Sequence, residues 1–226
     1  MNILFTHPYD DKSQLKVFEH DKNVITWLVN NQIHLQESRE YFNSGDCSFA
    51  LSLCEHLLNK NPKILIGGLG LGTTVNTLAR KIEEGKIDVV ECVEKVIDFY
   101  KENADNNIDS KISLIKNDFY DYVFSSGEDY YDSVFMQLDF AGCSPHHREY
   151  QLCKQSNSRI YTKEFFQKMY SILRKDSCFI FDGISEVDGP ITPMLNDCGF
   201  RTIEEVSPYW RPEIIDINHV TWTAFK

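Results

Sequence analysis

The stretch KILIGGLGLGTT, beginning at Lys63, constrains this chain more than any other. A short aliphatic run leads into Gly67-Gly68-Leu69-Gly70-Leu71-Gly72, and a helix-patterned segment, TTVNTLARKIEEG, follows at once. Glycines at such a junction permit a tight turn and let the backbone approach a ligand where Cβ atoms would intrude. The amides that open the helix face the same space. An ordinary strand–helix turn carries glycine too, so the motif gains its meaning from its surroundings, which point to a nucleotide-type site.

Those surroundings alternate strand and helix. IDVVE reads as a second strand, EKVIDFYKENAD as a second amphipathic helix, ISLIKND as a third strand and DYVFSS as a short helix or loop. DSVFMQLD is a fourth strand. TKEFFQKMYSILRK is a helix and SCFIFDG a strand, followed by a helix near ITPMLNDCG and strands around RTIEEVS and HVTWTAFK. The first helix is expected to close at Gly85. Strands alternating with helices specify an α/β fold whose parallel sheet is covered on both faces, with ligands bound beyond the carboxyl ends of the strands.

The beginning reads differently. LKVFEH, NVITWLV and QIHLQES are short alternations of apolar and polar residues separated by polar turns, which predicts a small antiparallel β-hairpin unit over residues 1–46. FALSLCEHLLNKN then carries helical spacing up to Pro62. Residues 47–226 are expected to form the Rossmann-like domain. No internal repeat or low-complexity linker interrupts them.

Charge and composition exclude some classes. With 34 acidic against 23 basic residues the formal net charge is −11. Such a field repels phosphate backbones and attracts cationic small molecules, so nucleic acid is not expected as a partner. No run reaches the ~20 apolar residues of a membrane span. The opening MNILFTHPYDDK lacks the basic-then-apolar order of a secretory signal, so a cytoplasmic location is expected. Seven cysteines, an odd number without a CxxC pair, suit reduced thiols in a reducing compartment.

Acidic residues close three successive strands. Glu91 ends the second, nineteen positions after Gly72, where a carboxylate accepts hydrogen bonds from both ribose hydroxyls. Asp118 follows the third and suits two roles, acceptor for an adenine amino group and N-cap of the next helix. Asp139 closes the fourth strand, placed to bind, orient and deprotonate an amine. NAD would use the same first elements, but the chain is short for a dehydrogenase with a separate substrate domain. The polar segment from Phe140 to Arg159 is long enough for a lid. His146-His147 within it has no Cys or His partner at metal spacing, so no metal is expected. Tyr161, Tyr209 and Trp210 would line an acceptor pocket by stacking on a cation, or pack within the core.

The runs ILIGGLGLG, VVECVEKVIDFY, LIKNDFYDYV and NSRIYTKEFFQKMYSILRKDSCFIFD together resemble the spermidine synthase-like group of class I S-adenosylmethionine-dependent transferases. The preceding LKVFEHDKNVITWLVNNQIHLQESREYF is similar to that group's N-terminal β-hairpin unit. The resemblance implies a class I methyltransferase-type Rossmann fold binding S-adenosylmethionine or its decarboxylated form. Gly67, Gly68, Gly70 and Gly72 would lie under the methionine portion, Glu91 on the ribose and Asp118 on the adenine. It also implies a homodimer and a small-molecule amine or amino-acid acceptor. The sequence departs from the group's pattern on the acceptor side. Gly70 stands where spermidine synthases carry an aspartate in the glycine loop. Gln137-Leu138-Asp139-Phe140 replaces a DxxD-type motif, and His34 and Asn43-Ser44 replace a Gln and a Tyr-His pair in the N-terminal unit. His34, Asn43, Gln137, Tyr161 and Trp210 are therefore the acceptor-side candidates.

These departures favour a transferase using intact S-adenosylmethionine to move a methyl or aminocarboxypropyl-type group. Three alternatives stay open: a polyamine aminopropyltransferase, an intramolecular cyclisation releasing methylthioadenosine, and a non-catalytic adenosyl-binding scaffold.

Overall fold

The computed structural model describes residues 2–8, 14–20, 24–29, 32–38, 61–103, 109–138, 158–184, 191–206 and 219–226. Four strands, β1 (Asn2–Pro8), β2 (Gln14–His20), β3 (Val24–Val29) and β4 (Gln32–Ser38), pair antiparallel in chain order as one sheet. The last three were expected from their alternation. The first was not, because the apolar residues of NILF stand together and give no two-residue period.

A second sheet contains β5 (Lys63–Gly67), β6 (Lys86–Glu91), β7 (Ile112–Lys116), β8 (Tyr131–Met136), β9 (Leu173–Ile184), β10 (Thr202–Val206) and β11 (His219–Phe225). Their order is β10-β11-β9-β8-β5-β6-β7. β5 through β9 pair in parallel, and β11 lies antiparallel between β9 and β10. The chain runs outward from β5 through β6 and β7, then returns to its other side for β8. In sheets of this kind such a reversal marks the carboxyl tips of the flanking strands, here β5 and β8, as the place where ligands bind.

Five α-helices among the described residues cover this sheet: α1 (Thr73–Lys81), α2 (Glu94–Asn103), α3 (Phe119–Ser125), α4 (Lys163–Ile172) and α5 (Ile191–Asp197). Ile64, Ile66 and Val89 point to the face packed by Val75, Leu78, Val96 and Phe99 of α1 and α2. Leu65, Val90, Met136 and Phe181 point to the opposite face, packed by Phe119, Phe165, Phe166 and Leu195. Neighbours in sequence thus bury themselves on opposite sides, which is why these strands read as continuous apolar runs.

Two helices stop sooner than their pattern predicts. α1 ends at Lys81, and Ile82 turns extended with its side chain buried. Gly85 instead serves the turn into β6, where the Lys86 N–H donates to the Pro62 carbonyl. α4 ends at Ile172, since fully buried Leu173 pairs with Tyr131 in the sheet. The helix segment FALSLCEHLLNKN lies outside the described residues. Among the described residues no helix is long and apolar enough to cross a membrane.

Candidate functional site

The strand tips are level. Gly67 pairs with Val90 on one side and Met136 on the other, so the glycine turn leaves the sheet between β6 and β8. Three backbone bonds fix its start and shape. Gly68 N–H donates to Val90 O at 2.9 Å, Gln137 N–H to Gly67 O at 2.8 Å, and Gly72 N–H to Leu69 O at 2.9 Å. Leu69 and Leu71 bury their side chains in the α1/α2 face of the core, anchoring the turn from beneath. Gly68 has φ +88°, in a region that L side chains rarely adopt, and a Cβ there would run into the Gln137 carbonyl oxygen. Gly72, at φ +86°, caps α1 without any side-chain hydrogen bond and leaves no room for a Cβ beside the Tyr100 ring.

Glu91 closes β6 and is only 9% exposed. Its Oε2 accepts from the Leu69 N–H of the glycine turn at 3.1 Å, and its Oε1 accepts from Val93 N–H at 2.8 Å. The carboxylate therefore spans the space between the turn and the segment leading to α2. Cys92, next to it, is open to solvent on one side. Enclosure of its inner side by the protein, the adjoining Glu91 carboxylate and then Asp118 push its thiol up to about 12.

Asp118 lies beyond the tip of β7 as the N-cap of α3, its Oδ1 accepting from Asp121 N–H at 3.3 Å. Its Oδ2 pairs with Arg159 Nη2, while Arg159 Nη1 reaches Asp121 Oδ1 at 3.4 Å. The guanidinium also lies over the Tyr120 ring, 4.7 Å from its centroid. Phe119 links this corner to the turn: a Cβ on Gly67 would sit 2.6 Å from its Cε2.

The structure thus brings together Gly67, Gly68, Gly70, Gly72, Glu91 and the Gln137 backbone, with Asp118 joined to them through Phe119. Tyr161 is half-buried against the α3/α4 face of the core. His34 falls in β4 at the irregularity where the register slips between Trp27 and Leu28. Asp139, Asn43, Tyr209, Trp210 and the His146-His147 pair lie outside the described residues, as does the 140–159 segment up to residue 157. Among the described residues no group of three or more His, Cys, Asp or Glu is placed to hold a metal ion. Sequence reasoning missed Arg159, which shows only as a basic residue ending a polar stretch. It also missed the two backbone donors on Glu91, which carry no side-chain signal at all.

No protein-family model matches the chain, and no curated protein does either. Solved structures do. A spermidine synthase from Thermotoga maritima is similar over all of this chain and 73% of its own, with a TM-score of 0.68 at 16% identity. The chain has a spermidine synthase-like fold. A probable spermidine synthase from Corynebacterium glutamicum is similar over all of this chain and 81% of its own, at a TM-score of 0.69 and 12% identity. A precorrin-6y C5,15-methyltransferase from Geobacter metallireducens covers 79% of this chain and 87% of its own, with a TM-score of 0.54 and 13% identity. The mostly parallel Rossmann-like sheet and the antiparallel N-terminal sheet expected from the sequence are both present.

Proposed function

We propose that this protein is a cytoplasmic S-adenosylmethionine-dependent transferase acting on a small amine or amino-acid acceptor, and that it works as a homodimer. The observation that carries the reading is the buried Glu91 carboxylate at the tip of β6, hydrogen-bonded to the glycine turn that leaves β5. A glycine turn beside an acidic strand tip, at the point where the strand order reverses, supports an adenosyl reading. Glu91 would hold the ribose hydroxyls and Asp118 the adenine amino group. The sulfonium of the donor supplies an activated carbon for in-line displacement.

The chain's own task is then positioning, which supplies much of the rate of such displacements. An acceptor amine is protonated near neutral pH, since free amines titrate near ~10. Asp139, following β8 in the sequence, would bind the ammonium, orient it and help remove its proton. His34, Asn43, Gln137, Tyr161 and Trp210 would shape the acceptor side. A second reading, aminopropyl transfer from decarboxylated donor, draws support from the fold likeness to spermidine synthases over the whole chain. Gly70 in place of their loop aspartate weighs against it.

Incubating the protein with each donor and a panel of amines, then identifying the released nucleoside, separates these readings. S-Adenosylhomocysteine is the expected product for methyl transfer. Methylthioadenosine indicates alkyl transfer, or cyclisation if it appears without acceptor. Tight donor binding without any turnover indicates a scaffold. Calorimetry showing no binding of either donor or either spent nucleoside overturns the adenosyl assignment altogether.

A further inference from the structure

Glu91 bonds to the protein on both sides before any ligand arrives, and the bonds fall where a ligand would need the backbone held. The first two amides of the glycine turn both point at the tip of β6: Gly68 N–H to the Val90 carbonyl and Leu69 N–H to the Glu91 carboxylate. Val93 N–H, on the far side, donates to the other carboxylate oxygen. A carboxylate is a stronger acceptor than a neutral carbonyl, and Glu91 is only 9% exposed, where water competes poorly for its oxygens. A turn rich in glycine has many accessible conformations and loses more freedom on ordering than any other sequence. The backbone bonds at Gly67, Gly68 and Gly72 select part of one conformation, and the Glu91 carboxylate adds the side-chain bond that fastens the turn at Leu69.

We infer that Glu91 is a positioning residue for the glycine turn, in addition to the ribose contact, so that donor affinity depends on its carboxylate through the backbone as well as directly. This rests on the adenosyl reading proposed above. It differs from a pure ribose contact in a testable way. Replacing Glu91 by Gln turns one acceptor oxygen into an NH₂ group, which sets donor against donor at either Leu69 N–H or Val93 N–H.

The experiment measures the binding of methylthioadenosine and of its 2′,3′-dideoxy counterpart to wild type and Glu91→Gln by calorimetry. Amide exchange at Leu69 and Val93 is followed by NMR in the ligand-free proteins. If Glu91 positions the turn, E91Q weakens the dideoxy compound by about tenfold, equivalent to about 1.4 kcal/mol. Exchange at Leu69 rises while core amides such as Leu65 and Val134 keep their protection, which separates loosening of the turn from general destabilisation. Should E91Q fail to fold, Glu91→Asp, one methylene short of spanning both donors, reads the same two quantities. Unchanged exchange at Leu69 overturns the inference, as does an unchanged affinity for the dideoxy compound in a wild type that binds it. If wild type binds neither nucleoside, the adenosyl reading falls, and the Leu69 exchange rate alone still decides whether the carboxylate holds the turn.

Discussion

Gly68→Ala places a single methyl group where the structure has no space for one. Two costs add. The backbone at φ +88° is poorly accessible to alanine, at about 1–2 kcal/mol. The new Cβ overlaps the Gln137 carbonyl oxygen and lies 3.1 Å from its carbon. That carbonyl belongs to the backbone just past β8, and Gln137 N–H is itself bonded to Gly67, so it cannot swing aside as a side chain would. Forced repacking of this kind costs about 1–3 kcal/mol. The sum, about 2–5 kcal/mol, is a large part of an ordinary domain's ~5–15 kcal/mol. For a chain of this size it corresponds to a fall of roughly 4–20 °C in melting temperature. Gly127→Ala is the control, since a Cβ there would meet nothing within 4 Å and its φ lies outside the left-handed region. It should stay within about 0.5 kcal/mol of wild type. Thermal unfolding reads both variants, and calorimetry with methylthioadenosine should show weaker binding to G68A wherever it remains folded. A G68A protein that melts within about 2 °C of wild type, with unchanged affinity, refutes the reasoning that the approach of Gly68 to the Gln137 backbone is closed to a Cβ.

Alkaline pH should destabilise the fold. Burial pushes the Cys178 thiol up to about 11 and raises the Tyr131 phenol, so the folded chain keeps protons that the unfolded chain releases from about pH 8.5 upward. Urea midpoints should hold steady to about pH 8 and fall from there towards about pH 11, with Lys63, whose pKa burial lowers, opposing the fall only in part. Cys178 should contribute more than Cys92, whose open side lets water screen its neighbours; a Cys178→Ser variant whose decline matches wild type would contradict this. Asp118→Ala removes the N-cap of α3 and should cost about 1 kcal/mol in urea unfolding, and it should also weaken adenosine-containing ligands. Asp139→Asn should lower turnover with donor affinity nearly intact in calorimetry; unchanged turnover would remove Asp139 from the proposed proton transfer.

Much of the candidate site around the glycine turn was legible in the sequence because each part has a local signature. The glycine turn sits between a short apolar run and an amphipathic helix, and Glu91 follows it at the spacing a strand–helix–strand unit dictates. Asp118 announces itself as a helix cap, and the structure gives it that role. What stayed hidden depends on contacts between distant residues or on the backbone. The pairing of Arg159 with Asp118 crosses from the start of one helix to the turn before another, and nothing near Arg159 marks its partner. The amides of Leu69 and Val93 are invisible because every residue but proline has one. The early ends of α1 and α4 follow from where Ile82 and Leu173 find burial, which overrides helix propensity at their termini.

Gly67 against Phe119, Gly68 against Gln137 and Leu69 bonded to Glu91 link the tips of β5, β6 and β8 and the start of α3 into one continuous scaffold. A mutation at any of these places is felt by all of them. Attempts to re-engineer this protein should therefore leave Gly67, Gly68, Leu69, Glu91, Phe119 and Gln137 untouched.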